Sequence, residues 1–249
     1  MTVCLFVAVS SLCAQTTWTT NGVFSGTQAV SASFALYSAP LIEKGRFPLS
    51  VRYRFEIPRV SATGAFQFSE DTQDIVLNGV YFPLVIPHVR VGAGALYHGG
   101  WFEMEGELVS FQSDILLGAY ATFDFWRMYL NLHVGWFEQI ITIPALPQEY
   151  DTFAQSDMAI SLFLGGKLLD NFSAELGIAS YELYRYHLFF NPALSIALRY
   201  EFQTPRLQGR ALEGRIFAEL STAVRYSDMF TLSGHVEYSV TTLTIGYAF

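Results

Sequence analysis

The chain is poor in the residues that most chemistries need. It has two cysteines, Cys4 and Cys13, and both lie in its first fifteen residues. If that segment is removed, as argued below, the mature chain has no thiol, which excludes disulfides, thiolate catalysis and cysteine-ligated zinc. Its five histidines, at 88, 98, 133, 187 and 235, include no pair at metal-ligand spacing, so no metal and no cofactor is expected. Charged residues make up 14% of the chain, against roughly 25% in ordinary soluble domains. Basic excess is absent too. Fourteen Lys and Arg stand against 22 Asp and Glu, a net charge of −8, which argues against nucleic acid as a partner. Long apolar runs are missing as well: beyond the first fifteen residues nothing approaches the ~18 continuous apolar residues of a membrane helix. Gly92-x-Gly94 is followed by no helix, so it reads as small residues inside a sheet and not as a phosphate loop.

What the chain has in abundance is dispersed hydrophobicity. Hydrophobic residues make up 51%, aromatics 16%, and mean hydropathy is +0.30. Val3–Val9 has the length of a signal-peptide apolar run, and small residues follow it up to Ala14. The expected organisation is therefore a signal over residues 1–14, cleaved after Ala14, and one domain over 15–249. No Lys or Arg precedes the apolar run, so the true start is expected upstream of Met1 or misassigned; Leu12, three residues before the cut, is larger than is usual there. Leu12 beside Cys13 fits a lipidation signal poorly.

The last nine residues carry the clearest pattern. Leu243, Ile245, Tyr247 and Phe249 fall on one face of a strand; Thr242, Thr244, Gly246 and Ala248 fall on the other. Four exposed apolar side chains on a soluble edge strand would invite aggregation. In a barrel closed inside a bilayer the same face meets lipid and the edge is paired. This ending resembles that of the Gram-negative outer-membrane β-barrels, whose final strand alternates apolar residues and ends in Phe. The resemblance implies an outer-membrane location in a diderm bacterium, contact with outer-membrane lipid, and reading of Leu243, Ile245, Tyr247 and Phe249 by the barrel-assembly machinery.

Alternation continues upstream. The sharpest case puts Val51, Tyr53, Phe55 and Ile57 on one face and Ser50, Arg52, Arg54 and Glu56 on the other. Further strands are expected at 30–39, 75–82, 88–97, 109–123, 128–137, 157–166, 172–184, 192–202, 215–226, 230–240 and 241–249, the last two either separate or one bulged strand, with a weaker one at 16–24. The apolar face changes parity between 230–240 and the terminal stretch, which calls for a turn or bulge near Thr241. Short connections are expected near 40–47, 83–87, 124–127 and 168–171, and long ones near 58–73, 98–108 and 139–155. Strand centres recur about every 20 residues. The expected fold is thus all-β, an antiparallel up-and-down transmembrane barrel of about twelve strands, with ten and then eight as alternatives. Trp18, Trp101, Trp126 and Trp136 are expected at strand ends, as interfacial girdles.

The polar faces would gather Arg52, Arg54, Glu56, His88, Arg90, Asp114, Asn131, His133, Lys167, Glu175, Arg199, Glu201, Arg215, Glu219, Arg225, His235 and Glu237 in one lumen. The selectivity candidates are Arg52, Arg54, Glu56, Arg90, His133, Arg199, Glu201, Arg215, Glu219 and Arg225. Arg52, Arg54 and Arg90 could form a basic wall that draws anions inside an acidic protein. The same charges could instead pair and plug the lumen. The expected function is a small porin-like channel for solutes. A non-conducting surface or structural protein is the alternative. A barrel hydrolase comes third, either with Asn131 and His133 beside a serine such as Ser113 or Ser161, or with His98 beside the acidic run Glu103, Glu105 and Glu107. No motif singles out such a nucleophile, so no catalytic residue is assigned.

Overall fold

The computed structural model describes residues 27–38, 48–69, 72–104, 107–144, 152–179, 193–203, 214–228 and 233–249. The expected signal over 1–14, the weak strand at 16–24, Trp18 and His187 lie outside them.

Alternation becomes strand throughout. The described residues form twelve antiparallel strands: β1 (Thr27–Ser38), β2 (Leu49–Ile57), β3 (Val60–Phe68), β4 (Thr72–Ile86), β5 (Val89–Met104), β6 (Glu107–Phe125), β7 (Met128–Thr142), β8 (Thr152–Leu169), β9 (Phe172–Ala179), β10 (Ala193–Gln203), β11 (Arg215–Asp228) and β12 (Ser233–Ala248). Each pairs with its sequence neighbours, and β12 pairs with β1, closing the barrel. Closure satisfies the backbone hydrogen bonds that an open edge would leave bare in lipid. At the seam Gln28 N–H donates to Phe249 O at 3.0 Å and Phe249 N–H donates to Gln28 O at 2.8 Å, so the last residue is zipped to the first strand.

The strand that the sequence reading missed is β3. A polar connection was expected from 58 to 73, but Pro58 and Arg59 make a two-residue turn and Val60–Phe68 returns as a strand. Its apolar set is weak, with Ala62 and Gly64 on the outer face, so alternation is faint there. The expected connection at 98–108 also falls inside strands, since β5 runs to Met104 and β6 starts at Glu107. The connection expected over 139–155 shrinks to 143–151. The terminal segment is a single strand. Its parity change occurs opposite Arg225 and Tyr226, where Arg225 pairs with Tyr238 and Tyr226 with Val236, so Glu237 is the extra residue. The bulge therefore precedes Thr241.

Tight turns cluster at the end of the barrel where β1 begins and β12 ends, the terminal end: Pro58-Arg59, Pro87-His88, Trp126-Arg127 and Asp170-Asn171. His88 (φ 67°) and Trp126 (φ 60°) take the left-handed conformation common in two-residue hairpin turns. The last carbonyl of each turn accepts an N–H from the strand beyond the one it leads into: Arg59 O from Phe82 on β4, His88 O from Asp124 on β6, Arg127 O from Lys167 on β8, and Asn171 O from Glu201 on β10. His88 was expected inside the barrel; it is exposed in its turn. The short turn expected near 40–47 lies outside the described residues; β1 ends and β2 begins at the opposite end.

The outer surface is apolar. Val51, Leu77, Leu117, Trp136, Leu176, Ile196 and Ile245 are each about half exposed, at 46–58%. Trp126 projects from its turn at 91% exposure, where the interface with headgroups suits an indole. Trp136 departs from the expectation, since it lies in the middle of β7.

Candidate lumenal site

Many inward positions are buried and polar: Ser33, Glu56, Gln67, Asp74, Arg90, His98, Asp114, His133, Glu175, Arg199, Glu219 and Thr244 are each at most 5% exposed. A barrel of this size stands between eight-stranded barrels, filled by side chains, and the 16–18-stranded porins that leave an aqueous channel. Its inner wall is not uniform, and the difference follows the strand order.

The arc β10–β11–β12–β1–β2 carries arginines on a background of small residues. One rung runs Ser50–Ser33–Thr244–Glu219–Arg199 across five strands. Ser33 and Thr244 share a hydroxyl hydrogen bond of 2.8 Å. At the terminal end Arg54, Ala29, Ala248 and Arg215 share another rung. Arg225 stands at the far end of β11. The described inward side chains of this arc include five arginines (52, 54, 199, 215 and 225) and three glutamates (56, 201 and 219), a net charge of +2 within a chain of −8.

Ion pairs fix most of these groups. Glu56 accepts from Arg54 through one oxygen and from Arg90 through the other, the latter at 2.7 Å. Arg90 belongs to β5, three strands away from β2; its guanidinium lies over the Phe82 ring, 4.5 Å from the centroid. Arg199 lies 3.7 Å over the Phe217 ring and 3.5 Å from Glu201, which also receives a hydrogen bond of 2.8 Å from Arg215. Each pair keeps a charge in a poorly solvated space by giving it a partner and a flat surface. Lys167, also expected inward, is half-buried at the terminal end of β8. The side chains of His235 and Glu237 lie outside the described ones.

The opposite arc, β4–β8, is apolar where alternation suggested polarity. Val76, Leu96, Leu116, Phe137 and Ala159, one from each strand, pack together inside the barrel. Val80, Phe82 and Tyr120 form a second cluster. The signal for this was local loss of alternation, as in Ile75-Val76-Leu77, Leu116-Leu117 and Trp136-Phe137, where both faces are apolar.

Above the first cluster sits a group centred on His98, which the sequence reading placed in a connection. His98 Nδ1 is 2.8 Å from Asp114 Oδ2 and its Nε2 is 3.2 Å from Asp74 Oδ1. Gln112 donates to Asp114 at 2.8 Å and Gln67 to Asp74 at 3.4 Å. All of these are buried, and the group ties β3 through β6 together by side chains. His98 is thus a wall residue and no part of an acidic rim with Glu103.

The Ser-His-Asn constellation is also resolved. Ser113 has outward parity on β6, between inward Gln112 and Asp114. Ser161 pairs across the β7–β8 ladder with His133 and both face inward. They are shut away from the lipid that a barrel phospholipase would need to reach.

One glycine sets the packing of this wall. Tyr129 on β7 reaches past β8 to hydrogen-bond Glu175 on β9 at 2.7 Å. It lies over Gly165, where a Cβ would sit 2.3 Å from the tyrosine ring. Gly165→Val is therefore expected to displace Tyr129 and strand a buried carboxyl. A lowered urea midpoint of the refolded barrel, with Gly165→Ala intermediate, checks this.

Ser50 Oγ and Ser110 Oγ find no hydrogen-bond partner among the described residues. No group of three or more metal-ligating side chains able to hold an ion occurs among the described residues.

No protein-family model matches the chain, and no curated protein matches it in sequence. Solved structures do match its fold. The KdgM porin in complex with disordered oligogalacturonate superposes with a TM-score of 0.53 at 7% identity, over 89% of this chain and 99% of that one. The NanC porin superposes with a TM-score of 0.53 at 12% identity, over 88% and 98%. The chain therefore has the closed twelve-strand fold of outer-membrane β-barrels, as its last strand implied.

Proposed function

We infer that the barrel is a porin-like outer-membrane channel for small solutes, and that anions are its favoured cargo. The observation that carries this is the arginine-bearing arc β10–β2, where five guanidiniums alternate with serine, threonine, alanine and glycine on one inner wall. Small residues leave room beside the wall, and fixed cations along it select by charge, as rings of charged side chains do in other pores. The same fold in two porins supports the reading, as does the oligogalacturonate held by one of them. Export would depend on a signal over 1–14, removed before the barrel forms.

A specific observation favours the rival reading, a non-conducting structural or surface protein: many inward side chains are buried, and Arg54, Arg90, Arg199 and Arg215 are ion-paired. Conductance across planar bilayers decides between them. Steady single-channel steps from folded protein support the channel; their absence removes it. In a salt gradient, Arg52→Ser with Arg54→Ser is expected to move the reversal potential toward cation selectivity, because it takes two positive charges from the arc. An unchanged potential would mean that ions pass elsewhere or not at all.

We also infer that the assembly machinery reads Leu243, Ile245, Tyr247 and Phe249. Leu243, Ile245 and Phe249 are about half exposed on the lipid face, and Phe249 makes the reciprocal pair with Gln28. Deleting Phe249 is expected to lower outer-membrane levels while periplasmic export continues. Fractionation and immunoblotting measure both, and equal surface levels would refute the assignment.

A further inference from the structure

The tight turns at the terminal end repeat a pattern, an apolar residue and then a basic one. It occurs in Pro58-Arg59, Pro87-His88 and Trp126-Arg127, while the turn after β8 is Asp170-Asn171. All of these residues are exposed. Backbone bonds hold the later turns side by side: Asp124 N–H donates to His88 O at 2.8 Å, and Lys167 N–H to Arg127 O at 2.9 Å. A chain of net charge −8 thus carries basic side chains on this rim.

Trp126 is the residue that the barrel itself does not explain. Its φ of 60° is costly for a bulky side chain, and glycine or asparagine usually occupies such a turn position. At 91% exposure it has almost no packing within the protein to offset that cost. Backbone strain kept without an internal contact points to contact with something outside. We propose that the β6–β7 turn, with the end of β8 beside it, is a headgroup site for an anionic phospholipid. Short turns of outer-membrane barrels face the periplasm, so the lipid belongs to that leaflet. The site holds whether or not the lumen conducts.

Both halves of such a lipid find a match here. Phe125 at the end of β6 and Leu168 and Leu169 at the end of β8 are 48%, 62% and 61% exposed. They offer an apolar shelf to the chains, and the indole sits at headgroup depth. Arg127 supplies the charge, through a guanidinium whose planar N–H fork fits phosphate oxygens. Within the protein it meets Asp170 at 3.0 Å, with side chains 47% and 93% exposed. An ion pair that open to water is weak, so a phosphate can displace the carboxylate, and Asp170 acts as a competitor.

Charge narrows the headgroup. A zwitterionic one brings its own cation, which Arg127 and the half-buried Lys167 repel; an anionic one does not. Asp124 and Asp170 are the described acids beside these turns, and Asp124 is half-buried next to His88. An acidic protein would match the arginines but not the apolar shelf at membrane depth.

The test is native mass spectrometry of the refolded barrel, released from an equal mixture of phosphatidylglycerol and phosphatidylcholine with the same chains. The parent is expected to retain phosphatidylglycerol about fivefold over phosphatidylcholine, the preference that about one cation gives at a membrane surface. Arg127→Gln is expected to bring the ratio close to parity. Asp170→Asn, which releases Arg127, is expected to raise it about twofold. Trp126→Gly separates a lipid contact from a structural one. It relaxes the turn, so the urea midpoint is expected to hold or rise while retained lipid falls by about half or more. Equal retention of both lipids by the folded parent overturns the proposal, as does a parental ratio in Arg127→Gln. Full lipid retention by Trp126→Gly, or a lowered midpoint for it, assigns the indole to the barrel and overturns the proposal too.

Discussion

Ile196→Arg is expected to block insertion or to leave a barrel that unfolds at clearly lower denaturant. Ile196 lies in the middle of β10, 46% exposed, with Leu194 and Leu198 beside it on the same outer face. Its cross-strand neighbours are Leu176 and Thr222. A guanidinium at that height would have to be dehydrated in hydrocarbon or drag water and headgroups inward. On the lipid face of outer-membrane barrels such a change costs about 2–4 kcal/mol near the midplane and far less at the interfaces. Leu169→Arg, at the terminal end of β8 and 61% exposed, is the control expected to be mild. Folding into vesicles, followed by the heat-modifiable gel shift and by urea titration, gives both values. Equal stability of Ile196→Arg and the parent would mean that the inner and outer faces are exchanged.

That prediction uses the part of the molecule most legible in the sequence. Facing follows from a period of two, and Val51, Leu243, Ile245 and Ile196 all point where alternation put them. Legibility failed where a strand had little to alternate with. In Val60–Phe68 the outer face has only Ala62 and Gly64 between Val60 and Phe66, so the turn residues Pro58 and Arg59 before it merged with the polar stretch after it. It failed again at residues 98–108, where His98 and the glutamates looked like solvent-facing loop. Charge in a barrel wall is ambiguous in this way, because a lumen tolerates it as well as water does. The inner face carried a further trap. Leu96, Leu116 and Phe137 occupy inward positions, and a rule of apolar-out, polar-in cannot foresee an apolar half-lumen. Pairing between non-adjacent strands, such as Arg90 with Glu56 or Tyr129 with Glu175, depends on barrel curvature and leaves no trace in local sequence.

Glu56→Gln is expected to damage the barrel more than any other single change in the lumen. The carboxylate is 2% exposed and serves two arginines at once. Removing its charge while keeping its shape leaves the Arg90 guanidinium, 1% exposed, with a neutral amide in place of its counter-ion. Breaking a buried ion pair from one side typically costs about 3–5 kcal/mol, because the surviving charge stays dehydrated. The Arg54 side chain is 16% exposed, so it can turn toward water and its share of the loss should be small. Arg90→Leu in the same protein then becomes informative. It removes the stranded charge and places an alkyl side chain against Phe82, so the double variant Glu56→Gln/Arg90→Leu is expected to recover part of the loss, giving a coupling energy of about 1–3 kcal/mol in the cycle. Urea midpoints of the four proteins measure it; strictly additive effects would mean that the pair does not hold the wall. Electrical recordings give a second, independent readout. Glu56→Gln raises the arc from a net +2 to +3 and should shift the reversal potential toward anions, opposite in sign to the shift from Arg52→Ser with Arg54→Ser. Opposite shifts from two variants on one strand would place the ion path along β2. Shifts of the same sign would place it away from that wall.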